Sequence, residues 1–213
     1  MKFYDFALAP SPRKVRIFIT EKGLDIPTVT VNLREGEHKK AGFEAKNPHL
    51  TLPVLELDDG TCLTESLAIC YYLEQLHPQP NLMGADAKEQ ALVLMWNDIA
   101  TLQGYLGIQE AFRNTAQGMK GRALPGPEPY EQIPALAERG RRRIEVFFDV
   151  LDGRLAESPF VACERYTYAD IAAYVYLGFA TRVTGASPAD TRERLRRWAQ
   201  RIAGRPAVAA PGA

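Results

Sequence analysis

The sequence predicts an α/β unit followed by an all-α unit, and three observations carry that expectation. Strand, helix and strand patterns succeed one another within residues 2–33. A hairpin pattern and a third amphipathic stretch fill residues 53–76, and beyond residue 86 only helical periodicity persists. At 213 residues, with 46% hydrophobic and 24% charged residues, the chain has the composition of an ordinary globular protein of one large or two modest domains.

Residues 2–8 (KFYDFAL) place Tyr4, Phe6 and Leu8 on one face at period two, as a strand does. Ser11-Pro12 then reads as a helix start, with Ser11 as N-cap, Pro12 at the first helical position, and Val15, Phe18 and Ile19 following at helical spacing. Lys22-Gly23 ends that helix. Residues 27–33 (PTVTVNL) alternate and are β-branched, so the first strand, helix and second strand form a βαβ unit with parallel pairing. Pro53–Leu57 and Thr61–Thr64 flank Asp58-Asp59-Gly60 as a hairpin. Ser66 opens a helix with Ile69, Cys70, Leu73 and Leu76 on one stripe, closed by His77-Pro78-Gln79-Pro80. The order βαβ then ββα is that of a thioredoxin-like domain, expected over 1–79. A Pro- and Gly-bearing linker covers 78–85.

A helical bundle is expected over 86–213. Asp86-Ala87-Lys88-Glu89 starts a long helix with Leu92, Met95, Trp96, Ile99, Leu102 and Leu106 inward, bent near Gly104 and Gly107. Residues 116–129 (AQGMKGRALPGPEP) are a loop by their density of breakers. A helix over about 133–156 follows. Thr167–Asp170 and Ser187–Asp190 each resemble a capping box opening a further helix.

Lys plus Arg and Asp plus Glu are 26 each, so no net field draws nucleic acid or an anionic membrane. Arginine runs at 139–143 and 192–197 read as solvated helix faces or subunit contacts. Cys62, Cys70 and Cys163 show no metal-ligand spacing and read as reduced thiols, so no metal is expected. Met1-Lys2-Phe3-Tyr4-Asp5 has no apolar leader core, and no run of 18 apolar residues occurs, which makes the cytoplasm the expected location.

Four features taken in order resemble the cytosolic glutathione S-transferase superfamily, its bacterial members above all. They are Pro-Ser-Pro-Arg-Lys-Val-Arg at 10–16, Asn47-Pro48 ahead of Pro53, Glu65-Ser66 heading the third helix, and Phe160-Val161-Ala162 followed by Thr167-Tyr168-Ala169-Asp170-Ile171. The resemblance implies glutathione as co-substrate and conjugation of its thiolate to small hydrophobic electrophiles in detoxification. It also implies a homodimer and no partnership with nucleic acid or membrane. Disulfide or peroxide reduction and non-catalytic binding are the rival readings.

The resemblance implies a cis Pro53, with Leu52 pairing its backbone to glutathione as an added strand does. It also implies that Glu65 faces the γ-glutamyl ammonium while Ser66, at a helix N-terminus, receives the adjacent carboxylate. His38, Lys39 or Lys40 meets the glycine carboxylate. A thiol with an ordinary pKa near 8.5 is only about 3% ionised at neutral pH, so the site must acidify it. Ser11 is the only hydroxyl in the turn at 9–13 and is the candidate donor. Backbone N–H groups around Pro10–Arg13 with a trapped water are the alternative, because Ala9 stands where some Ser-type relatives carry their hydroxyl. Leu50, where relatives often have glycine, is a second departure. Tyr105, Phe112 and Arg113, late on the long helix, are the electrophile-pocket candidates, and Tyr4 reads as core.

Overall fold

The computed structural model describes residues 1–210, so the last three residues of the expected helical unit, 211–213, lie outside the described residues. Four short strands, β1 (Lys2–Asp5), β2 (Thr28–Thr30), β3 (Val54–Glu56) and β4 (Cys62–Thr64), form one sheet in the order β2-β1-β3-β4. β1 pairs parallel with β2 and antiparallel with β3, which pairs antiparallel with β4. Helices α1 (Pro10–Glu21) and α3 (Ser66–Leu76) pack together, with a short α2 (Ala41–Glu44) after β2. This is the thioredoxin-like arrangement. The strands are shorter than the alternating patterns, with turns following at 7–8, 33–36 and 58–59.

The head of α1 corrects the sequence reading. Ala9, in extended conformation, is the N-cap and Pro10 the first helical residue, so Ser11 lies inside the first turn rather than capping it. Pro10 and Pro12 could each serve as the proline at the first helical position, and the chain uses the earlier one. Arg16 holds the preceding turn in place, pairing with Asp5 and donating to the Ala7 carbonyl at 3.0 Å.

The second unit is helical. α4 (Ala87–Ile99) runs through a π-helical turn at Ala100–Tyr105 into α5 (Leu106–Arg113), followed by α6 (Pro134–Arg154), α7 (Tyr168–Thr184), α8 (Glu193–Ala203) and the short α9 (Pro206–Ala209). Asp86 caps α4 through the Glu89 N–H at 2.9 Å, and Thr167 with Asp170 forms the expected capping box on α7. Burial pushes the Asp170 carboxyl up to about 6, against bonds from Val161, Trp198 and Thr167 that favour its charged form. Ser187–Asp190, by contrast, is a turn and not a helix start. Its Ser187 hydroxyl accepts from Ala189 and its Asp190 from Ser187, and α8 begins only after Arg192.

The inward face of α4–α5 also differs from expectation. Leu92, Trp96 and Ile99 pack against the core as expected, but Met95, Leu102 and Leu106 are exposed, while Val93, Asn97, Ala100, Gly104, Ile108 and Ala111 are buried. The buried stripe is rich in small residues, and these let α6 come close. A Cβ on Gly104 would lie 2.7 Å from the Phe147 ring, and one on Gly140 would lie 2.5 Å from the Gly107 carbonyl and 2.6 Å from the Ala111 nitrogen. Backbone atoms cannot turn aside as a side chain can. Gly140→Ala is therefore expected to cost about 1–3 kcal/mol of stability despite alanine's better helix propensity. A urea-unfolding midpoint at or above that of the unaltered protein contradicts this packing account.

Both arginine runs are ion-paired in part. Arg139 and Arg143 meet Glu110, Arg192 meets Glu145 and Asp149, and Arg194 meets Asp152. All three cysteines are free thiols, and no helix among the described residues is long and apolar enough to cross a membrane.

Candidate active site

A cleft of about 710 Å³ opens between the sheet-bearing unit and the helices, and Ser11, His38, Lys39, Leu52, Glu65, Tyr105, Phe112 and Arg113 all line it. Pro53 and Ser66 are buried immediately behind Leu52 and Glu65. Lys40 does not reach the cleft; its ammonium lies 3.8 Å from Glu37. Tyr4 is core, stacked edge-on with Phe43 and bonded to Glu56.

At the head of α1 the supply of anion-binding groups is narrow. An α-helix normally offers several free N–H groups in its first turn. Here Pro10 and Pro12 have none, and Arg13 donates to Ala9. Among the described residues, Ser11 supplies the one remaining N–H without a partner as well as the hydroxyl. Its Oγ stands 3.3 Å from the Tyr105 hydroxyl, contributed by the π turn of the helical unit. Burial raises the Tyr105 phenol above its usual pKa, so it stays protonated at neutral pH and can donate. The Tyr105 ring stacks on Tyr176 with centroids 4.9 Å apart, and the buried Lys14 ammonium donates to the Tyr176 hydroxyl at 2.7 Å. This second hydroxyl is absent from the sequence reading, which puts Tyr105 in the electrophile pocket, and only the tertiary fold brings it to Ser11.

The Leu52–Pro53 peptide is cis, and neither the N–H nor the C=O of Leu52 has a backbone partner among the described residues. The preceding loop is fixed by the fully buried Asn47. Its side chain donates to the Thr51 carbonyl at 2.9 Å and accepts from the His49 N–H at 3.0 Å. Leu50 sits at φ 54°, in the left-handed region that favours glycine, which accounts for the glycine common in relatives. Leucine there costs about 1–2 kcal/mol.

Glu65, at φ 65°, is a second non-glycine residue in a costly conformation, and such strain persists where the surroundings over-determine it. It is the N-cap of α3 and lines the cleft. Ser66, the first residue of α3, donates its hydroxyl to the Ser11 carbonyl at 2.9 Å, so the heads of α1 and α3 are directly joined. The free N–H groups at the start of α3 are what this helix offers an anion.

Opposite, His38 lies in a 3₁₀ turn (Glu37–Lys39) and is buried with Nδ1 unpartnered. Burial, then Arg122 and Lys39, lower its pKa, so it is neutral at physiological pH. The helical wall consists of Phe112, Arg113, Phe179 and the loop after α5. That loop is anchored at both ends: the Arg113 guanidinium donates to the Arg122 carbonyl at 2.8 Å, and Gln132 donates to the Arg113 and Ala116 carbonyls.

Residues 3–81 match the model of the glutathione S-transferase N-terminal domain, and residues 117–206 match that of the C-terminal domain. Glutathione S-transferase 2 of Saccharomyces cerevisiae is 35% identical, over 98% of this chain and 88% of its own length. The crystal structure of Gtt2 from Saccharomyces cerevisiae is likewise 35% identical, with a TM-score of 0.88 over 98% of this chain and 99% of its own. A glutathione S-transferase domain-containing protein of Marinobacter aquaeolei gives a TM-score of 0.89 at 35% identity, over 98% and 100% of the two chains. With both domain models matched in order and similarity running through nearly the whole length, the chain belongs to the glutathione S-transferase family.

Proposed function

We propose that the protein conjugates the thiolate of glutathione to small hydrophobic electrophiles, with residues 1–79 binding glutathione and residues from 86 onward forming the electrophile wall. The observation that carries this reading is the junction at Ser11. There one free N–H and two hydroxyls, from Ser11 and Tyr105, converge on an interdomain cleft, as stabilisation of a developing thiolate requires. The unpaired Leu52 backbone would hold the cysteinyl residue in register. Glu65 would face the γ-glutamyl ammonium, with the head of α3 at the neighbouring carboxylate, and His38 and Lys39 would receive the glycine carboxylate.

The same reading makes the protein a cytoplasmic detoxification enzyme and a homodimer. The dimer is supported by the exposed Leu102, Leu106, Val146 and Val150 on neighbouring helices, apolar surface that a partner would cover. The direct test is an assay with glutathione and 1-chloro-2,4-dinitrobenzene, in which saturable, glutathione-dependent product formation is expected. Turnover of a mixed disulfide in place of the aryl halide would make it a reductase. Glutathione binding without turnover of any electrophile would make it a binding protein.

A further inference from the structure

The cleft holds more positive charge than glutathione uses. Its charged lining is Arg34, Lys39, Arg113 and Arg122 against Glu65 and Glu128, in a chain of zero net charge. Glutathione brings two carboxylates and one ammonium. On the reading above, Glu65 meets the ammonium, the head of α3 meets one carboxylate, and the His38–Lys39 side, where Arg34 also lies, meets the other. Arg122 is close enough to His38 to help depress its pKa, so it belongs to the glycine end.

Arg113 is left over. Its guanidinium is half-buried, donates to the Arg122 carbonyl at 2.8 Å, and has no carboxylate partner among the described residues. Burial lowers its pKa, and the charged or titratable groups it feels are Tyr105 and Arg122. Glu128 is exposed and pairs with neither arginine. A partly desolvated guanidinium is costly until an anion joins it, and it keeps its charge at any physiological pH. The surroundings are apolar and aromatic: Phe112 meets Phe179 edge-on at 5.8 Å, and Phe179 lies 6.2 Å from Tyr105. Arg113 and the thiolate site therefore share Tyr105 as a neighbour.

We propose that the electrophile subsite takes amphipathic anions, with an aromatic or conjugated body lying on Tyr105, Phe112 and Phe179 and a carboxylate received by Arg113. This rests on the transferase reading and adds a substrate class to it. A matched pair tests it: 4-chloro-3-nitrobenzoate and its methyl ester. With either, glutathione sulfur forms a bond to C4, and chloride leaves with the carbon–chlorine electron pair. Each kcat/KM is divided by the uncatalysed rate constant, which removes the ester's greater intrinsic reactivity. The corrected acid-to-ester ratio is expected to exceed about ten in the unaltered protein. It should fall roughly ten- to hundred-fold in R113Q, as loss of a charge-assisted bond predicts, and largely recover in R113K. In R113Q the Gln132 amide still donates to the backbone carbonyls of residues 113 and 116, so the loop retains an anchor. A ratio near one in the unaltered protein, an equal fall for both substrates, or a loss confined to the KM for glutathione overturns the proposal. If neither these substrates nor 1-chloro-2,4-dinitrobenzene turns over, the transferase reading has failed separately. Calorimetry with synthetic S-(4-carboxy-2-nitrophenyl)glutathione and its methyl ester then decides, and equal affinities overturn the anion site.

Discussion

Glu74→Ala is expected to lower the unfolding free energy by about 3–5 kcal/mol, a fifth or more of the roughly 5–15 kcal/mol that holds a typical domain folded. Glu74 forms an ion pair with Lys22, and the two side chains are 4% and 0% exposed. Lys22 also donates to the carbonyls of His77 at 2.7 Å and Pro80 at 2.6 Å, while Glu74 accepts from the Leu82 N–H at 3.1 Å. One pair thus ties the end of α1, the last turns of α3 and the segment leading to the helical unit. Removing the carboxylate leaves an ammonium buried with two carbonyl dipoles and the Phe18 ring, and the cost of that uncompensated charge sets the size of the effect. Urea unfolding of Glu74→Ala, Lys22→Met and the double variant checks it. The singles should each be strongly destabilised and the double less so than their sum. A Glu74→Ala protein within about 1 kcal/mol of the original shows that the pair is not what fastens the two units.

How much of this was legible in the sequence depends on how local the cause is. The Thr167–Asp170 capping box and the β-branched alternation at Thr28–Thr30 act between near neighbours, and their residues announce them. Ser187–Asp190 has the same residue chemistry yet makes a turn, because Ser and Asp side chains serve turns and caps alike. Lys22 beside Gly23 looks like an exposed helix end, since its partner lies on another helix. The inward face of α4–α5 is hidden because Asn97, Ala100 and Gly104 contribute little hydrophobicity, while the larger Met95, Leu102 and Leu106 face outward. In the site, the glutathione side is carried by contiguous motifs. The pairing of Ser11 with Tyr105 across 94 residues and the unpaired charge of Arg113 exist only once the chain has folded.

Ser11→Ala is expected to raise the pKa of bound glutathione by roughly one to two units, with a corresponding loss of turnover at neutral pH. The lost charge-assisted hydrogen bond is worth about 1.5–3 kcal/mol, and each pKa unit is about 1.4 kcal/mol. Because Pro10 and Pro12 have no N–H, no neighbouring amide can take over from the lost hydroxyl, and the donors left are the backbone N–H of residue 11 and the Tyr105 hydroxyl. Tyr105→Phe is therefore expected to shift the pKa in the same direction, and the double variant to raise it further than either single one, with the backbone N–H of residue 11 as the donor that remains. The carbonyl that receives Ser66 survives in Ser11→Ala, so glutathione affinity should change less than ionisation.

The central claim is that the thiolate sits where the head of α1 meets Tyr105, and ultraviolet titration of bound glutathione tests it most directly. The absorbance of the thiolate is followed against pH in the unaltered protein, Ser11→Ala, Tyr105→Phe and the double variant, all saturated with glutathione. The account predicts a midpoint well below that of free glutathione in the unaltered protein, stepping upward through the single variants to the double. Four superimposable curves would place the sulfur elsewhere in the cleft and contradict it.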